Sequence, residues 1–216
     1  MRITEPMTLA TDYLLGVVAL VFAVRLYQQG AAAGQWSVRL WAAAFLMTAT
    51  AAFVGGSYHG FVTMLAPDAG RALWHATLIA TGVGSAALLA AAATAGTSGL
   101  VRQMLLLVVV VKLAAYLWWM SSHTDFIFVI ADYGSALAGV MVLVWLARTS
   151  GLAPASAWIA AGVGISVLAA GVQAFRLAPH PSFNHNDLFH VIQTVAVYFL
   201  FRGGLVMRDM IRPPLQ

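Results

Sequence analysis

Residues 99–121 read GLVRQMLLLVVVVKLAAYLWWMS. Seven consecutive positions, Leu105 to Val111, are Leu or Val, and the only charges in the stretch are Arg102 and Lys112. About 20 mostly apolar residues suffice to carry a helix across the hydrocarbon core of a bilayer. Six further stretches have the same character, and together they predict spans at roughly 9–29, 37–58, 70–94, 99–121, 126–148, 155–177 and 186–207. Turn residues mark the breaks: Gly30 to Gly34, Pro67 to Gly70, Gly96 to Gly99, Ser121 to Asp125, Ser150 to Pro154 and Pro179 to Asn184. The expected fold is all-α, a polytopic membrane protein built as one seven-transmembrane-helix bundle over residues 1–216.

Composition agrees with this reading. Of 216 residues, 62% belong to the apolar and aromatic set and 8% are charged, with a mean hydropathy of +0.87. Soluble domains carry about 25% charged residues, so a cytosolic enzyme, a disordered chain and a typical nucleic-acid binder are excluded. The chain has no cysteine, which removes disulfides, thiolate zinc sites and cysteine catalysis. The pI of 9.9 comes from basic residues scattered singly, which read as topology signals. A signal peptide in place of the first span is disfavoured. Arg2 and Glu5 precede it without a basic run, Asp12 interrupts it and Arg25 follows.

Charge sets the expected direction. Arg25, Arg39, Arg102, Arg148, Arg202, Arg208 and Arg212 fall on one side, against Arg2, Arg71 and Arg176 on the other. The positive-inside rule then puts the N-terminus outside and the C-terminus in the cytoplasm. Short loops and Ala-rich spans point to a bacterial inner membrane.

With that topology drawn, all six histidines (His59, His75, His123, His180, His185 and His190) gather at the outer end. Six of the seven acids join them: Glu5, Asp12, Asp68, Asp125, Asp132 and Asp187, leaving only Asp209 inside. Ionisable groups inside spans are expensive and point to function. Six of the seven helices bring a polar residue to similar depth, enough to line an outward-facing cavity. Besides the acids and histidines, Ser57, Tyr133, Gln173, Asn186 and Gln193 belong to this layer.

Each candidate has a plain alternative. His59 and His190 are the first choice for a metal pair, since imidazole ligates zinc, copper, iron and nickel; otherwise they are wet interfacial side chains. His75 or His185 would be the third ligand. Asp187, three residues after Asn184, fits a capping box, and Asn186 shares the face of His190. Asp132 lies between apolar stretches and is a general base, an orienter of a histidine, or the partner of Lys112 on the neighbouring span. Asp12 is the other candidate for proton transfer. A retinal Schiff base at Lys112 is disfavoured, because rhodopsins of both kinds carry that lysine in the last span. The Gly and Ala runs, such as 82–93 and 162–171, read as close helix packing.

Seven spans, an outer N-terminus, His59 ending the second span and His190 opening the seventh resemble the CREST superfamily of alkaline ceramidases, progestin/adipoQ receptors and Per1-like proteins. The resemblance implies a zinc ion at the outer end and hydrolysis of a lipid amide by zinc-activated water. It implies that His59 and His190 are ligands. Asn186 stands where the family's H-x3-H motif begins with His, Gly55 stands where a Ser precedes the first ligand, and no Asp opens the third span.

The first expectation is therefore a zinc-dependent membrane hydrolase of a lipid amide or ester bond, with a membrane lipid as substrate or ligand. The alternative is a non-catalytic metal- or ligand-binding protein, or a transporter using Asp12, Asp132, Lys112 and the histidines as relay groups. Against transport, the inner half offers little besides Lys112. A haem between His59 and His190 is a further reading, as is a receptor or assembly subunit.

Overall fold

The computed structural model describes residues 3–146 and 150–210. Arg2, Arg148 and Arg212, used above for orientation, lie outside the described residues, as do the last positions of the fifth span. Seven long helices follow one another: α1 (Pro6–Ala32), α2 (Trp36–Phe61), α3 (Pro67–Gly96), α4 (Gly99–Met120), α5 (Phe126–Leu146), α6 (Ser156–Ala174) and α7 (His185–Val206). Short 3₁₀ turns at Val62–Met64 and Ala153–Ala155 precede α3 and α6. Each of the seven, α6 together with its leading turn, is long and apolar enough to cross a membrane. The expected all-helical architecture is present, with seven helices long and apolar enough to span a membrane. α6 is shorter than expected, giving way after Ala174 to Arg176 at a φ of 51°.

The helices form an up-and-down bundle. α1, α2, α3, α5, α6 and α7 close a ring in that order, with α7 returning to α1, and α4 packs outside it against α3. Side chains on the outer face of α4, among them Leu107, Val108, Val110 and Val111, stay exposed, as befits residues facing lipid. Lys112 tethers this outer helix: its Nζ donates to Ser85 Oγ of α3 at 3.0 Å and pairs with Asp132 of α5. The expected Lys112–Asp132 partnership is therefore formed, behind the wall of the ring. Asp132 Oδ2 is buried without a partner.

The two ends of the bundle differ. At one end Arg25, Arg39, Arg102, Arg202 and Arg208 surround a solid core in which Leu26, Trp41, Leu88, Ile159 and Leu200 are almost wholly buried. The Trp41 indole donates to Leu200 O at 3.0 Å. The chain after α7 closes this end. Asp209 accepts from the backbone N–H groups of Trp36 and Ser37 at 2.8 and 2.7 Å. The Arg102 guanidinium donates to Thr97 O and Met210 O, and Arg208 N donates to Gly151 O. At the other end, where the histidines lie, the six ring helices part around a cavity.

Candidate functional site

The cavity has a volume of about 400 Å³, within the range of small-molecule sites. All six ring helices line it and α4 does not. Its walls are chiefly apolar or weakly polar, with Leu15, Ala51, Ala52, Val129, Ile130 and Leu137 among them. Aromatic rings collar the mouth. Trp74 lies 5.2 Å from Tyr58 and 6.1 Å from Phe126, and Phe189 lies 6.5 Å from Phe126 and 5.2 Å from the His190 ring. The Trp74 indole N–H is satisfied by Thr124 O at 3.0 Å, so only its apolar body is offered to the cavity.

Two histidine–carboxylate pairs sit at this mouth. His59, in the last turn of α2, has its Nδ1 3.4 Å from Glu5 Oε1. With Nδ1–H held by the carboxylate, Nε2 keeps its lone pair and has no hydrogen-bond partner among the described residues. His190, in the second turn of α7, is tied at both nitrogens: Nε2 is 3.1 Å from Asp12 Oδ1 and Nδ1 is 3.3 Å from Thr11 Oγ1. The Thr11 hydroxyl proton is directed to Met7 O at 3.0 Å, so the network assigns the ring hydrogen to Nδ1. One proton is then shared between Nε2 and Asp12, which keeps the buried pair neutral overall. Asp12 Oδ2 is buried and unpartnered.

Local packing explains how Asp12 reaches this position. α1 crosses α2 at Gly56, where a Cβ would stand 2.7 Å from Asp12 Cβ. Any side chain there would push α1 away and separate Asp12 from His190. The start of α7 is fixed to α1 by a second set of bonds. Asn184 and Asp187 form the expected capping box, with Asn184 N donating to Asp187 Oδ2 at 2.7 Å and Asn184 Oδ1 accepting from Asp187 N. The other oxygen of Asp187 accepts from Thr8 Oγ1 at 2.7 Å. Thr8 in turn lies 3.1 Å from Glu5 Oε2, which ties the His59–Glu5 pair to the α7 cap. Across the cavity, Gln173 Nε2 donates to Asn186 Oδ1 at 2.9 Å and Gln193 Nε2 to Ser166 Oγ at 3.3 Å.

The structure therefore gathers Asp12, His59, His190, Tyr133, Gln173, Asn186 and Gln193 around one cavity. It places the remaining candidates elsewhere. Asp187 acts outside the cavity lining as a helix cap. Asp132 turns to Lys112. Ser57 bonds Tyr13 at 2.9 Å between α1 and α2. His75 lies in a separate pocket with Tyr58, Pro67 and Arg71, and His185 is outside the cavity lining. The α3 contribution comes from Trp74, Thr77, Thr81 and Gly84, and His75 is not part of it.

Sequence reasoning missed Thr8 and Thr11, and it placed Glu5 in the outer polar layer without a role. Their signal was present: with Asp12 they recur every three to four residues at the start of the first span, which is one helical face. The donor set also bears on zinc. Among the described residues no group of three histidines or carboxylates stands ready to hold a metal ion. His75 and His185 do not join His59 and His190, and both nitrogens of His190 are already engaged. These residues do not fit the zinc ion that the resemblance implies.

Residues 7–209 match a family defined as a family of unknown function, DUF6962. The chain belongs to that family. No curated protein and no solved structure matches it.

Proposed function

We propose that this is an integral membrane protein that takes an amphiphilic, lipid-like molecule into its ring cavity and hydrolyses an amide or ester bond at the mouth. The observation that carries the reading is the combination of a chiefly apolar chamber with two histidine–carboxylate pairs at its rim. A chiefly apolar chamber that opens beside polar pairs suits an amphiphile, with an apolar tail against its walls and a polar head at its mouth.

In this reading His59 is the general base. Glu5 holds Nδ1–H, and Nε2 removes a proton from a water that attacks the carbonyl carbon. The proton then returns through His59 to the leaving nitrogen or oxygen. The donor side chains nearest the mouth, Gln173 and Asn186, orient the polar head. His190 and Asp12 position α1 against α7 and hold one mobile proton beside the reacting group.

The arrangement of charge supports an orientation as well. Five described arginines ring the closed end, while the open end holds the acids and histidines. Positive-inside topology then puts the closed end in the cytoplasm and the cavity mouth on the far side of a bacterial inner membrane. Because the chain has no native cysteine, single cysteines at Ser122 and Gln35 would report the two faces to a membrane-impermeant thiol reagent.

The test is turnover of a panel of N-acyl and acyl-ester lipids by the purified protein, beside His59→Ala, His190→Ala and Glu5→Gln. Loss of general-base action lowers kcat by about 10²-fold or more. Full turnover in His59→Ala would remove the proposed base. Zinc is measured in the same samples. One equivalent per chain, lost in both His59→Ala and His190→Ala, would replace this mechanism with a metal-assisted one.

A further inference from the structure

We infer that the cavity is a ruler for one acyl chain: it accepts a single-chain amphiphile and rejects tails longer than its depth. The inference rests on the reading of the cavity as an amphiphile site. On α2 the lining runs from His59 down to Thr48, and on α5 from Phe126 to Leu137. Eleven residues at 1.5 Å per residue give a depth of about 16 Å. That is close to half of the hydrocarbon thickness of about 30 Å, the depth that one lipid tail occupies in one leaflet.

The volume limits the occupant to one tail. At about 30 Å³ per group, the share of one water in the liquid, the cavity holds on the order of a dozen methylene-sized groups. Two tails of leaflet length do not fit. The floor is closed. Below Leu15, Thr48 and Leu137 the ring is filled by Ala19, Phe45 and Val140, all 3% exposed or less. A tail that reaches this level meets a close-packed core, and pressing further methylenes into it is overpacking.

The signature is a cut-off, not a slope. Lipid tails are as apolar as the cavity wall, so a methylene moved from bilayer to cavity gains little. Tails shorter than the cavity therefore bind about equally at equal mole fraction in the membrane. Past the floor, affinity falls by about tenfold or more within two or three carbons. A competing geometry exists. Gly134 of α5 has no atom near its Cβ position, and Val167 of α6 lines the cavity while over half exposed. If tails leave sideways between these helices, length is not limited.

The experiment uses the full chain in nanodiscs of a diacyl phospholipid. A spin-labelled C12 fatty acid is displaced by saturated N-acylethanolamines from C8 to C20. A cut-off between about C10 and C16 supports the ruler. Thr48→Leu raises the floor and moves the cut-off two to four carbons shorter. Leu137→Ala lowers it and moves the cut-off longer. The opposite signs guard against a variant that merely folds poorly. Displacement that continues undiminished to C20 in all three proteins overturns the ruler and leaves the amphiphile site standing. No binding of the labelled acid, with the protein folded, overturns the amphiphile site and the ruler together.

Discussion

In the arginine half of the bundle, Leu26, Trp41, Ile159 and Leu200 are 2% exposed or less, and glycines let the helices close on them. In the histidine half the same helices stand apart around about 400 Å³ of space. Polar groups follow the same division. The solid half keeps its charges on the rim, whereas the hollow half buries Asp12, Asp187 and His190 between helices. A bundle that only had to fold would pack both halves alike, since each helix runs through both. The solid half fixes helix positions, and the hollow half spends that rigidity on holding polar side chains where water is scarce.

Removal of a large side chain breaks the contrast most strongly. Trp41→Ala leaves a void in the solid half and removes the indole bond to Leu200 O, so a loss of about 3–5 kcal/mol is expected. Thermal unfolding in mild detergent measures it. Ala52→Leu in the hollow half adds volume where space exists. It is expected to change unfolding by under about 1.5 kcal/mol while abolishing displacement of the labelled fatty acid. Equal destabilisation by the two substitutions would mean that the halves are not packed differently.

The next effect is overpacking. A Cβ on Gly204 would lie 2.6 Å from Trp41 Cδ1 and 2.8 Å from Leu26 Cδ2. Gly204→Ala should cost about 1–3 kcal/mol. A substitution of the same kind at Gly134, where the Cβ meets nothing within 4 Å, should be close to neutral.

Both halves were legible in the sequence to different degrees, for a physical reason. Span number and length follow from hydrophobicity, which is local, and so were readable in runs such as Leu105 to Val111. The capping box at Asn184 and Asp187 was readable because it lies within four residues. The Lys112–Asp132 pair was readable because adjacent spans and similar depths left few partners. Which face each helix turns to the ring was not readable. The helices are apolar all round, so no stripe marks the buried side, and His75 stood as a candidate ligand although α3 lines the cavity with Thr77. Glu5 was placed at the correct end, but its pairing with His59 was not readable because the two are 54 residues apart. That α4 stands outside the ring is likewise a matter of packing, which its apolar sequence does not encode.

The smallest effect separates two carboxylates doing the same local work at opposite ends. Asp187 caps its own helix and also accepts from Thr8 of α1, with 1% of its surface exposed. Asp209 caps α2 from a distant point in the chain, at a wetter site. Losing an N-cap costs about 0.5–2 kcal/mol. Asp187→Ala should fall at the upper end, since water cannot easily reach the groups it abandons. Asp209→Ala should fall at the lower end, because solvent can take over the Trp36 N–H. Asp187→Ala should also lower turnover by loosening α7 under His190, and Asp209→Ala should leave turnover unchanged. If both variants lost stability equally and both kept full turnover, the hollow end would not depend on its buried network, and the division between the halves would be one of packing alone.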